Sequence, residues 1–329
     1  MRCPRRAVSP VAVAGALAFA LTVTACGGTT SEAAGSGASP TGSGALDPTS
    51  FALQLASSDL YAGTPQRVQL GILSSTETSG VLMVTSGTVE VAVGPTGAGS
   101  TVQLSARYVP APGTAGGEAG DPQLTTPDVA RGVYQADDVT FDAPGVWQAD
   151  VTFALQGTPV SLSTQFPVAT KPSLPAPGQD ALRTQNLTMT NSKGDPQAID
   201  SRAQGATPVP DPELHATTIA DAIAAHRPVL ALFATPVYCQ SQFCGPSVDA
   251  LEQMAKARPD AAAYIHVEIW HDYAKSELNR AAADWLLREG DLTEPWLFLI
   301  GPDGSIVDRW GPLFDPAQVM AELDALPVH

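Results

Sequence analysis

The chain has 329 residues, 44% of them hydrophobic, with a formal net charge of −16 and only four cysteines. An acidic excess of this size argues against nucleic acid as a partner, because affinity for a phosphate backbone rests on Lys and Arg neutralising it. The length allows a core in each of two domains.

Residues 1–25 read as a lipoprotein signal peptide. Arg2, Arg5 and Arg6 form a basic start, and an apolar run over 11–25 has signal-peptide length but is short for a bilayer span. Val23-Thr24-Ala25-Cys26 is the small-residue pattern of a bacterial lipoprotein processing site. Cleavage before Cys26 would discard Cys3 and lipidate Cys26. An uncleaved anchor helix is the weaker alternative, given Pro10, Gly15 and the small residues before Cys26. The expected location is the extracytoplasmic face of the cell membrane, held there by lipid, where disulfides persist. Loss of the leader removes three arginines and no acid, so the mature chain is more acidic still.

Residues 26–48 are Gly, Ser, Thr, Ala and Pro with almost no large apolar side chain, which predicts a flexible tether. Over 49–170 the pattern changes to short alternating runs, such as Gly87-Thr-Val-Glu-Val-Ala-Val93 and Val146-Trp-Gln-Ala-Asp-Val-Thr-Phe153, broken by Gly, Pro and Asp. Period-two alternation of this kind predicts an all-β sandwich. Asp142-Ala-Pro-Gly-Val-Trp147 resembles the corner of immunoglobulin-like domains, with Trp in place of the usual Tyr, and Trp147 reads as a core anchor. Residues 110–126 read as a long exposed loop.

Residues 171–205 form a polar, proline-containing connection. Helix and strand patterns then alternate over 206–329: Thr218 caps a helix over 219–226, with a strand at 228–234, a helix at 246–257 and a strand at 262–270. A helix at 275–289, strands at 296–300 and 306–310, and a helix at 316–326 complete the series. Strands separated by helices predict a partly parallel sheet closed by an antiparallel hairpin.

Cys239 and Cys244 lie between the strand at 228–234 and the helix that follows, in a CxxxxC spacing. A thiolate at a helix N-terminus is stabilised by the dipole there, so this is a candidate thiol-disulfide site. Leu230-Ala-Leu-Phe-Ala-Thr235, Cys244-Gly-Pro-Ser247 and Glu294-Pro-Trp-Leu-Phe-Leu-Ile-Gly-Pro-Asp-Gly304 together resemble the thioredoxin-like superfamily over roughly the last 120 residues. The resemblance implies an α/β thioredoxin-like domain after the immunoglobulin-like sandwich, and a cis bond before Pro295, which would face the redox site and shape a substrate groove.

The spacing departs from the family pattern. On one regular helix, residues five apart have Cα atoms about 8 to 9 Å apart, beyond the roughly 7 Å that a disulfide can bridge. If the two cysteines pair, Cys239 therefore lies in the loop and Cys244 at the helix entrance. Alignment on Gly-Pro makes Cys244 the attacking thiol, whereas distance from the strand end favours Cys239; both assignments stand. A peroxidase of the peroxiredoxin type is disfavoured, because Pro236 occupies the place of the threonine and Glu294-Pro295 the place of the arginine that such enzymes need.

His266 and Glu268 share one face of the strand at 262–270, and His271 follows at its end. His271 is a candidate ligand or proton donor beside the cysteines; the competing reading is a satisfied core pair of His266 with Glu268. His215 is a weaker candidate. The functional expectation is thiol-disulfide exchange through Cys239, Cys244 and Pro295, without a cofactor, on an exported protein partner. Alternatives are a Cu(I) chaperone using Cys239, Cys244 and His271, and a non-catalytic binding module stapled by a disulfide.

Overall fold

The structure, a computed structural model, describes residues 47–76, 80–97, 101–203 and 208–327. The leader, Cys3, Cys26 and nearly all of the tether lie outside the described residues. Nine strands join in one antiparallel sheet: β1 (Phe51–Leu55), β2 (Pro65–Thr76), β3 (Gly80–Thr85), β4 (Thr88–Pro95), β5 (Val102–Pro110), β6 (Gln123–Thr125), β7 (Gly132–Thr140), β8 (Gly145–Leu155) and β9 (Thr158–Val168). Their order is β6-β3-β2-β7-β5-β4-β8-β9, with β1 beside β2.

Alternation accounts for the register. Trp147, Ala149, Val151, Phe153 and Leu155 of β8 point into one core with Val89, Val91 and Val93 of β4, while the residues between them face outward. Gln156 and Gly157 both take positive φ, as a two-residue hairpin between right-twisted strands requires. Trp147 is a core anchor, buried edge-on against Phe141, and its indole N–H donates to Ala143 O. Along β2, residue 70 pairs with both β1 and β7, and residue 73 with both β1 and β3. Strands β7 and β3 therefore share one edge of β2 in succession, and the sheet curls there.

After this sheet come α1 (Ile219–Ala224), β10 (Val229–Phe233), α2 (Cys244–Ala257), β11 (Ala263–Val267), β12 (Trp270–Asp272), β13 (Glu277–Leu278), α3 (Arg280–Leu286), β14 (Trp296–Ile300), β15 (Ile306–Trp310) and α4 (Pro316–Asp324). Four of the strands form a mixed sheet, β11-β10-β14-β15, in which only β10 and β11 run parallel. Every residue of β10 and β14 is buried, because both faces are covered. Val229, Ala231 and Phe233 pack on Trp285 and Phe298, while Leu230 and Leu232 pack on Val248, Leu251 and Val319. The peptide bonds before Pro295 and Pro312 are cis.

The expected fold class, an immunoglobulin-like sandwich followed by an α/β thioredoxin-like domain, is corrected by this arrangement. The first nine strands make one curled antiparallel sheet and not two facing sheets. Among the described residues four α-helices stand against fifteen strands, so the chain is mainly β, and no α/β thioredoxin-like domain is shown. Part of the error lies at 275–289. Ser276 takes a left-handed turn (φ 56°) after a 3-10 helix at Tyr273–Lys275, and Glu277–Leu278 pairs back on β12, which leaves α3 only seven residues. The 110–126 stretch likewise contains the short strand β6.

Residues Leu46–His329 form one compact unit. Gln69 in β2 donates to Leu313 O (2.7 Å) and to Gln135 Oε1 (2.7 Å), Arg107 in β5 pairs with Asp315 (3.1 Å), and Arg67 in β2 pairs with Glu322 of α4 (2.6 Å). Arg309 of β15 is the most deeply placed of these cations. Its guanidinium bonds Asp59 Oδ2 (2.7 Å) and Pro175 O (3.0 Å) and lies over the rings of Tyr61 and Trp296.

Candidate functional site

Cys239 and Cys244 are joined in a disulfide with Cα atoms 6.0 Å apart. The loop makes this distance reachable: β10 ends at Phe233, the chain turns back through residues 236–243, and Cys244 is the first residue of α2. Gln242, in the left-handed region at φ 62°, reverses the loop just before the helix. The two sulfurs differ in setting. Cys244 is fully buried against Val248 and Leu232, whereas Cys239 is half-buried and its Sγ accepts the Ser241 hydroxyl at 3.2 Å.

Glu294, just before the cis bond to Pro295, faces the buried sulfur. Its Oε2 lies 3.7 Å from Cys244 Sγ and accepts the backbone N–H of Thr235 at 2.9 Å. Burial pushes this carboxyl up to about 8; the Thr235 hydrogen bond opposes the shift, and the neighbouring Glu268 adds to it. At neutral pH Glu294 therefore carries a proton beside Cys244.

The loop residues that flank the cysteines, Tyr238, Gln240, Ser241 and Phe243, open with Glu294 and Pro295 onto a cleft of about 1060 Å³. Its opposite wall comes from the large sheet, through Leu55, Leu73 and Met83. Tyr238 and Tyr273 stack there with ring centroids 3.9 Å apart, and Trp270 meets Tyr273 edge-on. Pro295 lines the cleft beside Glu294.

His271 does not join the cysteines. It is exposed and lines a separate cleft with Arg280 and Asp284. The cysteine sulfurs have Glu294 Oε2 as their nearest further metal-ligating atom type, and while they are bonded to each other neither is a thiolate ligand. His266 and Glu268, placed on one face by the sequence, are both buried. They do not bond each other. His266 Nε2 bonds Ala234 O (2.9 Å), and Glu268 accepts from the backbone N–H groups of Ser201 (2.8 Å) and Ile269 (2.9 Å). Burial raises the Glu268 carboxyl, and the charge of His266 opposes that.

Three neighbours of the site have no side-chain role in the sequence reading. Glu294 enters there only through its backbone beside Pro295 and as the occupant of the place where a peroxidase has its arginine. Asp200 and Ser201 fell in a stretch read as a polar connection, yet both are buried, as are Asn186 and Thr188. Ser201 Oγ shares a hydrogen bond with Thr235 Oγ1 (3.3 Å) and accepts from Val237 N (3.2 Å), so this stretch supports the base of the cysteine loop. The only sequence signal for it was the run Ala198-Ile199 amid polar residues.

Comparison of the chain with protein-family models and with curated protein sequences finds no match.

Proposed function

We propose that the protein exchanges thiols and disulfides with an exported partner protein that enters the cleft. The observation that carries this reading is the asymmetry of the pair: Cys239 is the more exposed residue, and Cys244 is buried at a helix N-terminus beside a carboxyl that holds a proton. Exchange begins at the sulfur that an incoming thiolate can reach. A partner thiolate attacks Cys239 Sγ, the bond to Cys244 breaks, and Cys244 leaves as a thiolate. The N-terminus of α2 stabilises that anion, and Glu294 passes it the proton. A second partner thiol then attacks the partner sulfur of the mixed disulfide and releases Cys239. The partner dithiol ends as a disulfide and the Cys239–Cys244 pair ends reduced, and the reverse sequence reduces a partner disulfide.

This assignment makes Cys239 the attacking thiol in the reverse direction and Cys244 the resolving one. In Cys244→Ser the mixed disulfide at Cys239 has nothing to resolve it, so a partner accumulates on non-reducing gels, while Cys239→Ser traps none. Trapping in neither variant, with a potential below about −300 mV for the wild-type pair, would leave a structural staple in place of an exchange site.

The site of action follows from the leader and from Val23-Thr24-Ala25-Cys26, on which lipid anchoring at the extracytoplasmic membrane face is proposed. Uptake of a labelled lipid precursor by wild type and not by Cys26→Ala tests it. An unlabelled wild type removes the anchor from the proposal.

A further inference from the structure

Beneath the end of β10, away from the cysteine sulfurs, three buried side chains from separate segments converge. Asp200 comes from the stretch before the cysteine loop, His215 from the 3-10 helix Pro212–His215, and His266 from β11. All three are essentially sealed from solvent. His215 Nε2 lies 3.6 Å and His266 Nδ1 3.5 Å from the same oxygen, Asp200 Oδ2, and one ligand atom from each residue lies within 4.8 Å of the others.

These separations are too long for hydrogen bonds, which fall at about 2.7 to 3.2 Å between heavy atoms. Neither nitrogen of His215 has a hydrogen-bond partner, nor does Nδ1 of His266. A fully buried polar atom left unpaired costs on the order of 1 to 3 kcal/mol, and two of the three, His215 Nε2 and His266 Nδ1, face the same oxygen, Asp200 Oδ2. His266 sharpens the point. Its Nε2 meets Ala234 O at 2.9 Å and carries the proton there, so Nδ1, 3.5 Å from Asp200 Oδ2, holds either a second proton, which burial opposes and Asp200 and Glu268 favour, or a lone pair. A lone pair there, facing a carboxylate oxygen, is stable only with a cation between the two atoms.

The distances fit a metal ion. With bonds of about 2.0 to 2.2 Å from zinc to His nitrogen and Asp oxygen, tetrahedral ligands stand about 3.4 Å apart. The outer contacts fit as well: the far nitrogen of His266 is held by a backbone carbonyl, and Asp200 is oriented by Arg202, whose Nη2 donates to Oδ2 at 2.7 Å and whose Nε donates to Oδ1 at 3.1 Å. Arg202 does not use up the negative charge here. The guanidinium is shared among Asp200, Asp211 and the exposed Asp249, so Asp200 does not have that cation to itself.

We propose that Asp200, His215 and His266 form a zinc(II) site. Two imidazoles and one carboxylate suit zinc, and water would complete the tetrahedron. Because the site is buried, the ion acts structurally: it fastens the stretch that holds Ser201 and the 3-10 helix to β11, and through Ala234 it braces the base of the cysteine loop.

The test uses the untagged full chain, stripped of metal and dialysed against zinc(II), with the disulfide intact. One equivalent of zinc per chain is expected, along with the visible absorption of a tetrahedral nitrogen-ligated ion when cobalt(II) replaces it. The Cys239→Ser/Cys244→Ser double variant should keep the metal, whereas His215→Gln and His266→Gln should each lose at least tenfold in affinity. The wild-type stoichiometry and cobalt spectrum need no variant to fold. Folded wild type that takes up neither zinc nor cobalt overturns the proposal, as does uptake lost with the cysteines and kept in His215→Gln. A nitrogen-15 spectrum showing His266 as a doubly protonated imidazolium unchanged by zinc overturns it too, with a proton as the bridging cation.

Discussion

Glu294 Oε2 sits 3.7 Å from Cys244 Sγ while the backbone N–H of Thr235 holds the same oxygen at 2.9 Å, so the carboxyl cannot swing away from the sulfur without losing a hydrogen bond. Its proton is available to the departing Cys244 thiolate below about pH 8 and absent above it. Attack by a small thiol on Cys239, corrected for the thiolate fraction of that reagent, should therefore slow about tenfold per pH unit above 8. Glu294→Gln keeps the shape but has no acidic proton to give. The variant should react up to about a hundredfold more slowly at pH 7 and show no inflection near 8. An unchanged pH profile would remove Glu294 from the exchange step.

The same carboxyl makes stability depend on pH. Its ordinary value is 4.5, and folding raises it to about 8. Between these values the unfolded chain has lost a proton that the folded chain still holds, so stability falls as pH rises through this window and levels off above it. Oxidised Glu294→Gln should match wild type most closely near pH 4 and exceed it at pH 9, by on the order of a few kcal/mol. Urea denaturation at the two pH values measures the difference. A variant no more stable than wild type at pH 9 would mean that Glu294 is not held protonated.

Much of the local structure was legible in the sequence because it follows from neighbours along the chain. The strands at 296–300 and 306–310 stand where their apolar runs and the Gly301-Pro-Asp-Gly304 turn put them, and Thr218 caps α1 through the N–H of Asp221. Cys244 opens α2 and Cys239 lies in the loop, as the disulfide-bridging distance demanded. What failed was long-range. Alternation says which face of a strand is buried but not which strands pair, and the shared edge of β2 turns the expected pair of sheets into one. The helix read at 275–289 failed locally instead: the left-handed turn at Ser276 folds Glu277–Leu278 back on β12 as a short hairpin. Asp200 and Glu294 were invisible as site residues, since their partners His215, His266, Thr235 and Cys244 are remote in sequence.

Burial sets the order in which the reduced cysteines react. Cys239 is partly accessible and Cys244 is sealed beneath the loop. Brief treatment of reduced protein with iodoacetamide, followed by peptide mapping, should find Cys239 modified at least about tenfold faster than Cys244, since the rate follows thiolate fraction and access. Faster labelling of Cys244 would reverse the roles given to the two sulfurs.

The cleft separates partner recognition from chemistry. Tyr273 is about half exposed at 49%, and its ring stacks on Tyr238, next to Cys239. An aromatic pair of this kind contributes about 0.5 to 1.5 kcal/mol beyond its buried area. Tyr273→Ser should reduce trapping of a protein partner by Cys244→Ser by about two- to tenfold, with dithiothreitol reduction of the pair unaltered. Equal loss in both assays would mean that the substitution disturbs the cysteine loop itself.

Arg309 tests whether the large sheet and the mixed sheet unfold together. Its guanidinium is buried with the Asp59 carboxylate, accepted by Pro175 O and covered by Tyr61 and Trp296, so one side chain touches β15, β14 and the segment after β1. Asp59 has other donors, the N–H and hydroxyl of Ser173 at 2.7 and 2.6 Å, which soften the loss of its cation. Removing one member of a buried pair still costs about 3 to 5 kcal/mol. Arg309→Ala should therefore lower the denaturation midpoint strongly, while Asp59→Asn/Arg309→Met recovers part of the loss by leaving no unpaired charge. Because Leu46–His329 form one compact unit, tryptophan fluorescence and far-ultraviolet circular dichroism should report the same transition in wild type and in each variant. Two resolved transitions, with Arg309→Ala moving only one of them, would show that the sheets are separate folding units merely in contact.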